Sequence, residues 1–163
     1  MSRLNSVIRR LRAQRDCLNQ AARMIAAMDG PVLELGLGNG RTFDHLRERC
    51  PNREIFVFER QVAAHPDCIP DDDHLLLGGF EETVPAALAR IGRKAVLAHC
   101  DIGSGDKAAT ARLAEWLGPA LAPLLAPGAV VVSDQLLNIP GALPLALPEG
   151  VAEGRYHMVR MPA

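Results

Sequence analysis

Glycines at positions 36, 38 and 40, an acid just ahead at Glu34 and a second acid at Glu59 make the pattern in this chain best suited to holding a ligand. In VLELGLGNGRTFDHL, residues 32–46, apolar residues lead into Glu34, the glycines follow at alternate positions, and a helical pattern begins at Arg41. The spacing reads as strand, glycine turn, helix. Alternate glycines let the backbone take positive φ and leave no Cβ between chain and ligand. The following helix start offers unpaired N–H groups and a positive dipole end, so an anionic group belongs there. A dinucleotide fingerprint G-x-G-x-x-G would need glycine at position 41, where Arg41 stands, so a pyrophosphate is not the favoured anion. Glu59 closes an apolar run 19 residues beyond Gly40. Folds with alternating strands and helices place a carboxylate at that point to accept both hydroxyls of a ribose.

Three further stretches carry polar chemistry. Gly79, Phe80 and Glu81 follow a short apolar run, so a planar base could lie against the Phe80 ring with Glu81 and nearby backbone facing its edge. His99-Cys100-Asp101 and Ser133-Asp134-Gln135 end two other apolar runs. Asp101, Asp134 and His99 are the candidate general bases, and histidine has an unperturbed pKa suited to that task. Cys17, Cys50, Cys68 and Cys100 show no C-x-x-C and no metal-ligand spacing, which suits reduced, buried thiols in a cytoplasmic protein.

The elements that must position these residues follow from periodicity. Residues 3–28 read as one or two amphipathic helices with an arginine face, ended by Asp29-Gly30-Pro31. Strands are expected at 32–35, 54–58, 74–78, 95–98 and 129–132, and helices at 41–49, 79–91 and 107–117. Gly118-Pro119 is expected to interrupt the last helix before a second apolar turn. Residues 61–74 read as loop, 136–150 as irregular and leucine- and proline-rich, and 155–161 as one closing antiparallel strand. The expected fold is α/β, with strands and helices alternating in one domain over residues 1–163. The tips at 36–40, 59, 79–81 and 99–103 then converge on one crevice at the carboxyl ends of the strands.

Composition narrows the partners. A formal charge of −1 argues against a surface built wholesale for nucleic acid. No apolar run approaches the ~18 residues of a membrane span, and Arg3, Arg9, Arg10, Arg12 and Arg15 stand where an exported chain would carry an apolar leader. A cytoplasmic protein without a membrane partner is expected. Sixteen arginines against two lysines fit a GC-rich bacterial coding bias.

The E-x-G-x-G-x-G arrangement of residues 34–40, coupled to Glu59, resembles the cofactor loop of class I S-adenosylmethionine (SAM) methyltransferases, a likeness extending over about residues 25–135. That resemblance implies a doubly wound, mostly parallel sheet of order 3-2-1-4-5 plus a closing strand, with helices on both faces, together with SAM as cofactor, S-adenosylhomocysteine as product, and an enzyme that methylates a small-molecule acceptor. It implies that Glu34 helps hold the cofactor's ammonium through water. Gly36, Leu37, Gly38, Asn39 and Gly40 would line the amino-acid end with backbone groups, with Thr42 at the helix start. Glu59 would take the ribose, Gly79, Phe80 and Glu81 the adenine, and the backbone of His99, Cys100 and Asp101 would close the pocket. The segments AVLAHCD and APGAVVVSDQ also resemble small catechol-type O-methyltransferases, which hold a divalent cation at these strand tips. Asp101, Asp134 and Gln135 could supply oxygen ligands, but Gln135 departs from that pattern and no metal is expected. A non-catalytic SAM-binding or scaffolding module and an NAD-binding oxidoreductase are the alternatives, since Glu59 would serve a dinucleotide ribose equally well. Residues 136–163 are short for this family's C-terminal part. A homo-oligomer is therefore expected, with a neighbour's N-terminal helix or proline-rich segment completing the substrate pocket.

Overall fold

Strand β1 (Val32–Leu35) is buried along its whole length, and the chain is layered around it. The computed structural model describes residues 1–163. Helix α1 (Arg3–Met24) precedes β1; α2 (Arg41–Arg49), β2 (Ile55–Glu59), β3 (Leu75–Leu77) and α3 (Phe80–Ile91) follow. Then come β4 (Ala95–Cys100), α4 (Lys107–Leu121), β5 (Leu125–Ser133), β6 (Leu143–Pro144) and β7 (His157–Arg160). The sheet order is β3-β2-β1-β4-β5-β7-β6. The first five strands are parallel, while β7 pairs antiparallel with both β5 and β6.

Because side chains alternate across a strand, β1 feeds two separate cores. Leu33 and Leu35 join Phe58, Leu76, Leu117 and Leu121 beneath α3 and α4. On the other face Val32 joins Leu18, Ile25, Leu46 and Tyr156 beneath α1 and α2. Glu34 points to that second face and is fully buried there. Helix α1 packs through Ala13, Gln14, Cys17, Leu18 and Ala21, which recur at three- and four-residue steps. Its first turns stand clear of the body, with Leu4 68% and Val7 43% exposed.

The alternating α/β elements are as the periodicity implies, and the order of the five leading parallel strands is as the family resemblance implies. Four local expectations are corrected. Strand β4 continues through His99 and Cys100, because His99 is register partner to Glu34 and the two polar groups satisfy each other inside the sheet. Helix α4 runs through Gly118 and Pro119; a Cβ at Gly118 would meet the Asn138 carbonyl at 2.6 Å, so this glycine serves close packing and does not break the helix. Strand β5 begins four residues early and absorbs Ala126–Gly128 as an irregularity opposite β4, with Gly128 at φ +74°. Within the supposedly irregular tail, Leu143–Pro144 forms an edge strand, a place where proline's missing N–H is tolerated.

Arg53 fastens the connection from α1 to β1. Its guanidinium donates to the carbonyls of Gly30 (2.9 Å), Ile25 (2.8 Å) and Met28 (2.6 Å), in the turn that joins the end of α1 to β1. Charge-assisted bonds of this kind contribute more than neutral ones, so Arg53→Met should lower the unfolding free energy by roughly 2 kcal/mol in urea titration, with an unchanged m-value.

Candidate active site

The carboxyl ends of β1, β2, β4 and β5 open into one crevice with two hollows. The first, of about 580 Å³, lies between Gly36, Gly38, Glu59, Gly79, Phe80 and Ile102. The second, of about 500 Å³, lies between Arg10, Gln14, Asn39, Arg41, Asp101 and Asp134. Gly36, Gly38, Asp101 and Gly103 line both, so the hollows meet over the tips of β1 and β4. Two glycines make this possible. At Gly36 (φ +92°) a Cβ would lie 2.4 Å from the Asp101 carbonyl, so only glycine lets the two tips approach. At Gly38 (φ +52°) a Cβ would enter open space in the crevice floor, leaving the backbone accessible to a ligand.

Glu59 reaches across from β2 to the glycine loop. Its Oε2 accepts the N–H groups of Leu37 at 2.9 Å and Gly38 at 3.2 Å, and its Oε1 those of Arg60 at 2.7 Å and Gln61 at 3.2 Å. Each oxygen thus has one short and one long backbone partner. Gly79 is the N-cap of α3, and Phe80 lines the first hollow while packing on the α3/α4 core. Asp134 ties the tip of β4 to β5: its two oxygens accept the N–H groups of Ile102 (3.0 Å) and Gly103 (2.9 Å), with Gln135 Nε2 at 3.1 Å.

Beneath the crevice runs a buried chain of polar side chains. Thr42 Oγ1 donates to Glu34 Oε1, and Glu34 Oε2 lies 2.7 Å from His99 Nδ1. His99 Nε2 lies 2.9 Å from the Tyr156 hydroxyl, which also receives Gln14 Nε2 at 2.9 Å. Gln14 Nε2 in turn lies 3.1 Å from Asp101 Oδ2, on the crevice wall. Burial opposes charge on His99, but the Glu34 carboxylate, helped by Asp101 and Asp134, outweighs it and holds the imidazole's pKa above its ordinary value. Burial, reinforced by the nearby carboxylates, pushes the Tyr156 hydroxyl and the Cys100 thiol far up, so both stay protonated.

Several sequence-derived assignments change accordingly. Glu34 and His99 are fully buried and spend their polar atoms on each other, Thr42 and Tyr156; neither faces the crevice. Cys100 is likewise buried in β4. Gly40 packs toward Cys68, where a Cβ would approach to 2.4 Å, rather than lining either hollow. Glu59, Gly36, Leu37, Gly38, Asn39, Thr42, Gly79, Phe80, Glu81, Asp101 and Asp134 do come together around the two hollows. Arg10 belongs to the arginine face of the N-terminal helix; Gln14, Arg41 and Tyr156 are residues whose roles the sequence patterns do not mark, the available signals being the i, i+4 pairing of Gln14 with Arg10 and the presence of a single tyrosine.

Comparison with known proteins identifies the family of the chain. A family model described as S-adenosyl-L-methionine methyltransferase matches residues 1–161. This chain belongs to the S-adenosyl-L-methionine methyltransferase family. The methyltransferase is 44% identical to a solved S-adenosyl-L-methionine methyl transferase from Silicibacter pomeroyi DSS-3, with a TM-score of 0.93 and 98% of each chain covered. Its fold is also similar to MycE methyltransferase of the mycinamycin biosynthetic pathway, solved with Mg, SAH and mycinamycin VI (TM-score 0.58, 16% identity, covering 88% of this chain and 44% of that one). TrmN from Thermus thermophilus is a further fold relative (TM-score 0.53, 16% identity, covering 87% and 46%). No curated protein matches the chain.

The methyltransferase is an enzyme using SAM, and its crevice has the means to hold it: accessible glycine backbone, a carboxylate at the tip of β2 and an aromatic ring beyond it. No group of three histidine, cysteine or acidic side chains is placed to hold a metal ion. No helix is long and apolar enough to cross a membrane. The raised His99 pKa has a consequence for stability. A proton held more tightly in the folded state stabilises it fully below the unfolded value, about 6.5, and this contribution is lost as pH rises through the higher folded value. The stability difference between the wild type and His99→Gln, from urea titrations, should therefore be larger at pH 6 than at pH 9; an equal difference would show that the folded state gains nothing from the proton.

Proposed function

We propose that the methyltransferase acts on a small-molecule acceptor, with the cofactor's adenosine in the first hollow and the acceptor entering through the second. The meeting of two hollows over Gly36, Gly38, Asp101 and Gly103 carries this reading, because it provides adjoining places for two ligands. Each volume falls in the ~300–1,000 Å³ range of small-molecule sites. In this arrangement Glu59 accepts the ribose diol. Its two 3.2 Å bonds, to Gly38 and Gln61, are the ones two hydroxyls would displace, while the shorter bonds keep the carboxylate aimed. Gly79, Phe80 and Glu81 border the adenine, and residues 36–39 the amino-acid end.

When bound, SAM supplies a methyl group on a sulfonium, whose C–S electrons return to sulfur as the acceptor's lone pair forms the new bond. The chain's own contribution is then mainly alignment and exclusion of water, and alignment can be worth ~7–11 kcal/mol. For an acceptor that must lose a proton, Asp101 is the base favoured among the three candidates. His99 is sealed in the core and Asp134 is engaged by backbone, whereas Asp101 is partly exposed and only its Oδ2 is engaged, by Gln14 and Arg10. The exposed Leu4, Val7 and Ile8 on the projecting start of α1 support self-association as well. Sedimentation of the wild type above its 17.6 kDa monomer mass, reversed by Val7→Asp, would bear this out.

Calorimetric titration tests the ligand assignment. S-adenosylhomocysteine should bind while NAD gives no heat. Glu59→Ala should weaken that binding by at least about 1 kcal/mol, roughly fivefold, through loss of charge-assisted bonds. Because Glu59→Ala also strips the glycine loop of its acceptor, Glu59→Gln provides a milder replacement. Unaltered affinity in both would remove Glu59 from the ribose.

A further inference from the structure

We propose that the acceptor carries an anionic group, a carboxylate or a phosphate, and that Arg10 of helix α1 holds it. This rests on the methyltransferase reading of the crevice and adds the chemical class of the second ligand. Arg10, Leu11 and Gln14 of α1 line the second hollow together with the glycine loop and Arg41 at the start of α2.

The argument is an accounting of charge. The acids around the crevice are largely satisfied from within: Glu59 by four backbone N–H groups, Asp134 by two and the Gln135 amide, and Asp101 Oδ2 by Gln14. The donors of the two guanidiniums are not. Arg41 makes only a backbone bond, its N–H to the Asn39 side chain, and no side-chain bond or ion pair; Arg10 has one ion pair, to Asp101 Oδ2 at 3.8 Å between partly exposed groups, and it leaves the guanidinium's hydrogen-bond donors unused. The unspent capacity of this hollow is therefore cationic, and a planar fork of donors suits an oxyanion. For a cationic acceptor the hollow has only Asp101 free of backbone partners, and that carboxylate already faces Gln14 and Arg10.

The field points the same way. Residues 1–15 contain Arg3, Arg9, Arg10, Arg12 and Arg15 and no acid, in a chain whose formal charge is −1. Such a local excess at a cleft mouth raises the concentration of anions there. The two arginines also divide the work. Arg41 stands beside the loop proposed for the amino-acid end of SAM, whose own carboxylate needs a partner. Arg10 comes from α1, and an anion it holds leaves the rest of a small acceptor beside Asp101 and over the shared floor.

The test uses the whole chain saturated with S-adenosylhomocysteine and titrated calorimetrically with inorganic phosphate and, separately, with succinate. At least one anion should bind, and the preferred one tells phosphate from carboxylate acceptors. Arg10→Ala should weaken that binding at least tenfold while changing S-adenosylhomocysteine affinity less than twofold. Arg12→Ala, an exposed arginine of the same helix outside this hollow, should leave anion binding unchanged. Absence of binding by both anions would overturn the proposal, as would an equal loss in Arg12→Ala, which would make the effect one of general charge. A loss of S-adenosylhomocysteine affinity in Arg10→Ala as large as the anion loss would assign Arg10 to the cofactor and also overturn it. Failure of the wild type to bind S-adenosylhomocysteine at all is a separate result that removes the underlying methyltransferase reading.

Discussion

The contact between Glu34 and His99 is the constraint on which the rest of the structure depends. Two ionisable side chains sit with no solvent exposure at the register point where β1 meets β4. A carboxylate in such a place is tolerable only if its oxygens are bonded, because desolvating an unpaired charge costs far more than a domain's whole stability margin. Thr42 and His99 meet that need, and His99 in turn needs Tyr156. The pair thereby recruits α2 through Thr42, the entry to β7 through Tyr156 and α1 through Gln14. Removing any one partner leaves another stranded, so the ends of the chain and its centre are held as a unit directly under the crevice.

That constraint explains which parts of the protein were legible in its sequence. The glycine loop, the acid at the tip of β2 and the five parallel strands are written locally: each depends on residues a few positions apart, whose types dictate the backbone directly. The buried chain is not local. Glu34 and His99 are 65 residues apart, His99 and Tyr156 57, and Gln14 and Tyr156 142. Read locally, His99 marks the end of a strand, and a strand-end histidine is a natural candidate base. Only the register of β4 against β1 turns it inward. The same holds for Gly118-Pro119, whose local meaning is a helix break and whose actual role is set by the Asn138 backbone lying against it.

Glu59 is held in an unusual way for an acid beside an open cleft. A carboxylate facing an open cleft would ordinarily be solvated and mobile. Here backbone N–H groups from both the glycine loop and the turn after β2 hold it, and they hold it unequally, with one bond on each oxygen short and one long. The carboxylate also partners the loop's own donors and so maintains the loop's shape. Under the proposed ribose assignment, exchange of its two longer backbone bonds for two hydroxyl bonds would ask for little rearrangement, which is the substance of preorganisation.

The N-terminal helix is where a generic nucleotide-type crevice acquires individuality. The tips of β1, β2 and β4 provide glycine backbone, a carboxylate and a floor, features that suit SAM and say nothing about an acceptor. Helix α1 adds Arg10, Leu11 and Gln14 to the second hollow, and it is fixed there by Gln14, whose amide bonds both Tyr156 and Asp101. Position and charge are thus separated on one helix: Gln14 is buried and sets the geometry, whereas Arg10, one turn earlier, is half-exposed and sets the electrostatics. Since Gln14 is linked through Tyr156 to His99 and Glu34, the helix bearing Arg10 is anchored to the same buried pair that joins β1 to β4. Under the proposed assignment the two hollows would thus share one support, which is what an in-line transfer between two bound molecules requires.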